Sequence, residues 1–118
     1  MAGTIVANTI NTDTGVFSTQ NAYQGIAKAW VNFVGSTGAI NGSFNVSSVT
    51  VNSTANYTIN FTTAMTNANY CTQLTLANTS VSTPYAPQVI STSQTTTTSI
   101  IASYVTAPAN FNATYFGV

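Results

Sequence analysis

Apolar and polar residues alternate at every second position over much of this chain. In residues 57–63, Tyr, Ile and Phe alternate with Thr and Asn, and in residues 70–76 Tyr, Thr and Leu alternate with Cys, Gln and Thr. A period of two places successive side chains on opposite faces of a β-strand. The residue types are largely β-branched or aromatic, which strands favour. The pattern therefore predicts strands and leaves little of the chain for helices.

Further strands are predicted over residues 26–34, 40–46, 100–105 and 111–116. After residue 46 the apolar parity moves to Val49 and Val51, which indicates a bulge near Ser47 and Ser48. Small polar residues over 52–56 and 66–69 indicate turns. Strands that recur about every ten residues between turn signals are typical of an antiparallel β-sandwich or barrel. The predicted fold class is therefore all-β.

The first twenty residues differ from the rest because their apolar positions are too sparse for a core of their own. We interpret residues 1–20 as an extended arm that gains order by lying on a neighbouring subunit, and residues 21–118 as one β-sandwich domain. A short helical turn is expected at Thr19 to Gln24, leading into the strand at 26–34. The apolar residues of the arm are Ile5, Val6, Ile10, Val16 and Phe17.

Ionisable side chains are nearly missing, and this limits the possible functions. Asp13 and Lys28 are the only charged residues among 118, and there is no histidine. General acid–base catalysis and metal binding need several His, Cys, Asp, Glu or Lys groups that converge. Nucleic-acid binding draws its affinity from Lys and Arg. We therefore expect no enzyme, no metal or cofactor and no nucleic-acid partner.

Two further features concern the location of the protein. The start of the chain has neither a basic segment nor an apolar run of signal-peptide length, and no stretch approaches a membrane span. We therefore expect neither export nor membrane insertion. Cys71 is the single cysteine, so no disulfide forms within the chain, and we interpret it as an inert small residue.

Self-association is expected because the formal net charge is zero and no long-range repulsion separates copies. Outward Asn and Thr side chains are predicted to pair across strands or with adjacent subunits, which gives cohesion that salt does not screen. We expect a homotrimer or higher oligomer whose assembly is indifferent to salt.

Three motifs in order carry a family resemblance: GIAKAWVNF at 25–33, FNVSSVT at 44–50, and YTINFTTAM at 57–65 with ANY at 68–70. The chain resembles a small tail-fibre or virion-surface module of tailed bacteriophages, particularly those of aquatic bacteria and cyanobacteria, in which the AKAWVNF motif recurs. The likeness is strong over residues 5–70 and loose beyond. This chain departs from the pattern at 51–56 and 66–67 and lacks several charges, so a shared electrostatic surface does not follow. The resemblance implies a non-enzymatic, trimeric virion component without catalytic residues.

Two functions remain open at this point. One is a structural virion protein, a capsid decoration or cement protein or a short fibre, that contacts copies of itself and capsid or tail proteins. The other is a tail-fibre adhesin that binds a host surface polysaccharide. The predicted assembly interface comprises Ile5, Val6, Ile10, Asp13, Phe17, Lys28 and Trp30.

An adhesin is expected to use the loops at 79–87 and 93–99, with Tyr85 and Gln94 as possible ligand contacts. A cluster of Tyr85, Tyr104 and Tyr115 at a free tip would favour this reading.

Lys28 and Trp30 each have two interpretations. Lys28 either pairs with Asp13, fixing the register of the arm, or lies over Trp30 in solvent. Trp30 either stacks on a sugar ring or lies in a core or subunit interface.

Overall fold

The computed structural model describes residues 3–4, 6, 9–12, 15–18, 25–77, 87–89, 94–103 and 110–116. Their strands are β1 (Thr9–Thr12), β2 (Gly15–Ser18), β3 (Ala27–Phe33), β4 (Ile40–Phe44), β5 (Val46–Ser53), β6 (Asn56–Phe61), β7 (Cys71–Ala77), β8 (Pro87–Val89), β9 (Thr98–Ser103) and β10 (Asn110–Phe116). In this part of the chain, no helix has the length and apolar character needed to cross a bilayer.

Two four-stranded antiparallel sheets pack against each other, which confirms the predicted all-β sandwich. The front sheet has the strand order β4-β3-β10-β7, and the back sheet has the order β5-β6-β9-β8. Strands β1 and β2 form a separate two-stranded sheet. Chain order therefore alternates between the sheets, and the first and last strands of the sandwich, β3 and β10, pair with each other.

The core lies between the two sheets and is dominated by aromatic rings. Alternate residues of β3, β6 and β10 are buried, as the period of two predicts. The rings form two groups, in which centroids lie 5.0 to 5.7 Å apart, mostly edge to face. Aromatic pairs contribute about 0.5–1.5 kcal/mol each beyond area burial. The groups are Phe33, Tyr57 and Phe111, and Phe61, Tyr70 and Tyr115.

The chain passes from the front sheet to the back sheet at Asn45. Its backbone adopts a left-handed conformation with φ 55°, which asparagine tolerates better than most residues. The side-chain Nδ2 donates to the carbonyl oxygens of Lys28 and Thr63, both at 3.1 Å, and Oδ1 accepts from the Thr63 amide at 2.7 Å. One asparagine therefore fixes the corner between the two sheets.

This corner corrects one sequence expectation. Residues 40–46 were predicted as a single half-buried strand, but β4 ends at Phe44 in one sheet and β5 begins at Val46 in the other. Val46 is buried, whereas Phe44 is 55% exposed. The apparent common parity of these two residues is broken by the left-handed turn between them.

Most other strand predictions are confirmed to within a few residues. The predicted bulge near Ser47 is present, because the β5–β6 register shifts between Val46 and Ser48. The predicted turn at 52–56 joins β5 to β6 through Ala55, whose φ is 63°. Strands β1, β2 and β8 were not predicted. The expected helical turn at 19–24 lies outside the described residues.

Candidate functional site

The N-terminal arm contains a β-hairpin. Strand β1 pairs with β2 in antiparallel register, with Thr9 opposite Ser18 and Ile10 opposite Phe17. Among the described strands, neither joins the front or the back sheet. Val6, just before the hairpin, is 92% exposed. The structure thus describes this hairpin as part of the arm. Ile5 and Asp13 lie outside the described residues.

The outer side of the front sheet carries exposed aromatic residues. Trp30 on β3 faces away from the buried Ala29 and Val31 and is 42% exposed. Phe44 on the edge strand β4 is its register partner and is 55% exposed. Two large apolar side chains at such exposure, on register partners, place aromatic surface on the outer side of this sheet.

Gly42 on β4 determines how the Trp30 ring lies. A β-carbon built on Gly42 would lie 3.5 Å from Cη2 and Cζ3 of Trp30. The six-membered part of the indole therefore rests over the glycine and across the neighbouring strand.

A row of asparagines continues from the aromatic surface across the same side of the sheet. Asn41 Nδ2 donates to Oδ1 of Asn32 at 2.7 Å and to Oδ1 of Asn110 at 3.1 Å. Asn32 Nδ2 donates to Oδ1 of Asn112 at 2.5 Å. The row spans β4, β3 and β10, because a bulge opposite the Asn32–Phe33 step brings Asn41 into it. These bonds confirm the expectation that asparagines pair across strands.

We define the aromatic–amide face by these seven residues: Trp30, Asn32, Asn41, Gly42, Phe44, Asn110 and Asn112. Its amide groups are not fully used. The Nδ2 groups of Asn110 and Asn112 donate to no other residue in the described ranges. The face therefore presents ordered hydrogen-bond donors beside an open aromatic surface.

Among the described residues, the outer side of the back sheet has a polar ladder without exposed aromatics. Asn60 Nδ2 donates to the hydroxyls of Ser48 and Thr50 at 3.0 and 3.2 Å. Asn52 Nδ2 donates to Asn56 and Thr58 at 2.9 and 2.8 Å. In the part of the chain that the structure describes, the two outer sides of the sandwich thus differ in chemistry.

Lys28 is half-buried on β3, next to the corner at Asn45. Since Asp13 lies outside the described residues, the ion pair between Lys28 and Asp13 stays a prediction. Cys71 is exposed on the edge strand β7. The described residues contain no group of three or more His, Cys, Asp or Glu side chains that would suit a metal ion.

Gln94 does not lie at a free loop tip. Its Nε2 donates to the Thr72 hydroxyl at 3.0 Å and to the Tyr70 carbonyl at 3.4 Å. The next residue, Thr95, accepts bonds at Oγ1 from the amides of Thr97 and Thr98, which tightens the turn into β9. Gln94 is therefore tied to the body of the sandwich.

Tyr115 does not meet the condition that would favour an adhesin, a cluster of tyrosines at a free tip. Its side chain is fully buried on β10, between the two sheets. Tyr85 and Tyr104 lie outside the described residues. Tyr115 cannot contribute to a surface cluster with them, because its burial places it among the core rings.

The buried tyrosines have shifted pKa values. Burial raises the pKa of Tyr57, Tyr70 and Tyr115, with the largest rise at Tyr115, where the nearby Ser99 hydroxyl opposes part of it. Tyr70 donates to the carbonyl oxygens of Thr98 and Thr95 at 2.9 and 3.1 Å. In contrast, the hydroxyls of Tyr57, Ser99 and Tyr115 form no hydrogen bond of good geometry within the described structure. These groups lie in the core and offer no surface chemistry.

Comparison with known proteins found no matching family model, no matching curated protein and no matching solved structure. The assignment of a function therefore depends on the residues themselves.

Sequence reasoning placed Trp30 correctly opposite the buried parity of β3, but it missed the aromatic–amide face. The missing information was the outward direction of Phe44, which the corner at Asn45 determines. The asparagine at 45, a residue type that tolerates left-handed conformations, was the available signal.

Proposed function

We propose that this protein is a non-enzymatic structural component of a tailed-bacteriophage virion. It is a small trimeric β module on the particle surface, either a capsid decoration or cement protein or a short fibre. It acts through contacts with its own copies and with capsid or tail proteins. The motifs at 25–33, 44–50 and 57–70 support the virion assignment through their resemblance to phage surface modules.

The observation that carries the assembly role is the separate hairpin of β1 and β2. A two-stranded hairpin alone is at best marginally stable in water and needs a surface to pack on. This one pairs with neither described sheet. Another chain, either a second copy or a capsid or tail protein, supplies that surface in the proposal.

The lack of charge suits the same role. Copies of a chain with zero formal net charge can approach closely without repulsion. The side-chain bonds on both outer sides of the sandwich join neutral groups, which salt does not screen.

Two measurements test the proposal. Quantitative mass spectrometry of purified virions should detect the chain, with hundreds of copies for a decoration protein and a few trimers for a fibre. Its absence from particles that infect normally would refute the virion role.

Sedimentation of the isolated protein tests the arm. The double variant Ile10→Asn with Phe17→Asn changes one register pair of the hairpin and should lower the oligomer mass or abolish binding to particles. The control, Thr9→Asn with Ser18→Asn, changes the neighbouring pair from polar to polar and should assemble normally. Equal assembly of both double variants would remove the arm from the proposal.

The adhesin alternative has one observation in its favour, the exposed aromatic surface of Trp30 and Phe44. It lies on a sheet and not at the loops at 79–87 and 93–99 that the sequence predicts for an adhesin.

A further inference from the structure

We propose that the aromatic–amide face is a binding site for a neutral carbohydrate. The ligand is a glycan without ionised groups, bound along the outer side of the front sheet, with Trp30 and Phe44 under its C–H surface and the asparagine row at its hydroxyls. This site does not depend on the proposed assembly role of the arm.

The aromatic half of the face fits the apolar side of a sugar ring. A pyranose has C–H groups on its faces and hydroxyls around its rim, so it stacks on a flat aromatic ring. Trp30 is 42% exposed, and its ring lies against Gly42 on the neighbouring strand, which restricts the ring before any ligand arrives. A ring that is already oriented loses less conformational entropy on binding.

The amide half supplies polar contacts beside the aromatic surface. Asn32 is two residues from Trp30 on the same side of β3, and bonds to Asn41 and Asn112 hold its amide in place. The Nδ2 groups of Asn110 and Asn112, which donate to no described residue, are donors for sugar hydroxyl or ring oxygens. A few ordered polar groups next to aromatic side chains are the usual composition of a small-molecule site.

The charge of the face selects a neutral ligand. None of its seven residues is ionisable, so the face itself offers no opposite charge to a carboxylate, sulfate or phosphate. Lys28, two positions before Trp30 on β3, is half-buried and already has an interaction partner. A dry contact with the apolar surface of another protein would leave the free amide donors buried and unpaired, which is unfavourable. A hydroxyl-rich ligand pairs them.

Trp30 is the single tryptophan of the chain, so intrinsic fluorescence reports directly on the site. The full-length protein is titrated with dextran, mannan, galactomannan and arabinogalactan, and its retardation is measured in native gels that contain each polymer. Dextran sulfate serves as the charged counterpart of dextran. At least one neutral polymer should change the Trp30 fluorescence and retard the protein, equally at low and high salt.

Variants locate the site. Trp30→Ala should weaken the affinity derived from retardation about thirtyfold or more, as expected for a central aromatic anchor. Trp30→Tyr should retain part of the binding. Asn112→Ala should weaken binding about three- to tenfold through loss of a donor. Asn52→Ala, which removes a bonded asparagine from the back sheet, is the matched control and should bind normally. Circular dichroism confirms that each variant is folded.

Three results would overturn the proposal. The first is the absence of binding by the intact protein to all four neutral polymers. The second is full binding by folded Trp30→Ala. The third is a Trp30 fluorescence change that depends on protein concentration without any polymer, since this would show that a second copy covers the face. Loss of oligomerisation in the arm variants with retained polymer binding would refute only the assembly role.

Discussion

Replacing Tyr115 by phenylalanine removes one oxygen from the centre of the core and leaves the ring. The side chain is fully buried, and its ring centroid lies 5.0 Å from that of Phe61 and 5.6 Å from that of Tyr70. Within the described residues, its hydroxyl has no hydrogen bond of good geometry. Burial of an unpaired hydroxyl costs roughly 1–3 kcal/mol in proteins. Tyr115→Phe should therefore raise the free energy of unfolding by about 1 kcal/mol after the loss of the oxygen's packing contacts is subtracted.

The same substitution at Tyr70 should have the opposite effect. Tyr70 is also buried, but its hydroxyl donates toward the carbonyls of Thr98 and Thr95, at 2.9 and 3.1 Å. Tyr70→Phe leaves these acceptors one donor short and should lower the free energy of unfolding by about 1–2 kcal/mol. Urea unfolding at neutral pH and fixed protein concentration measures both variants.

Alkaline pH provides a second measurement on the same residue. Burial raises the pKa of Tyr115 above the ordinary tyrosine value of about 10, so above that pH the unfolded chain releases a proton that the folded chain retains. The stability that depends on a protonated Tyr115 is therefore fully present below about pH 10, and the free energy of unfolding falls as the pH rises above that value. In Tyr115→Phe the free energy of unfolding should fall less steeply with pH, by up to about 1.4 kcal/mol per pH unit.

A clear result would refute this reasoning. If Tyr115→Phe lowers the free energy of unfolding at neutral pH as much as Tyr70→Phe does, the Tyr115 hydroxyl has a stabilising partner. An unchanged alkaline slope in Tyr115→Phe would show that this hydroxyl does not titrate differently in the two states.

Three further predictions concern the corner, a turn and assembly. Asn45→Gly keeps the left-handed backbone but loses three side-chain hydrogen bonds, so it should lower the free energy of unfolding by about 2–3 kcal/mol. Asn45→Ala should lower it by about 1 kcal/mol more, because alanine does not favour the left-handed backbone. Urea unfolding measures both variants, and equal losses would contradict the backbone argument. Gly38→Ala should lower the free energy of unfolding by about 1–3 kcal/mol, because φ is 72° and the added β-carbon would lie 3.0 Å from Cγ2 of Val51. Gly25→Ala is the control: its β-carbon would have no described atom within 4 Å, so the melting temperature should change little. Sedimentation from about 0.01 to 1 M salt should leave the oligomer distribution unchanged, because screening acts on charges; dissociation at high salt would mean that ionic contacts hold the assembly.

The period of two was enough to predict an all-β sandwich or barrel and most of its strands. Residues 57–61 and 111–115 show why. Every second residue of these strands is buried, and a shift of the register by one position would expose those buried side chains to solvent. The scarcity of ionisable residues was likewise readable directly from the sequence. Both are properties of composition and local order.

The candidate site required the tertiary structure. Phe44 and Val46 share a parity in the sequence, but the left-handed Asn45 sends them into different sheets, one exposed and one buried. The asparagine row joins Asn41 and Asn32 to Asn110 and Asn112, some seventy to eighty positions away, because β10 returns to pair with β3. Local pattern determines which residues face inward on a strand, but only strand order and the corner between sheets decide which outward residues meet.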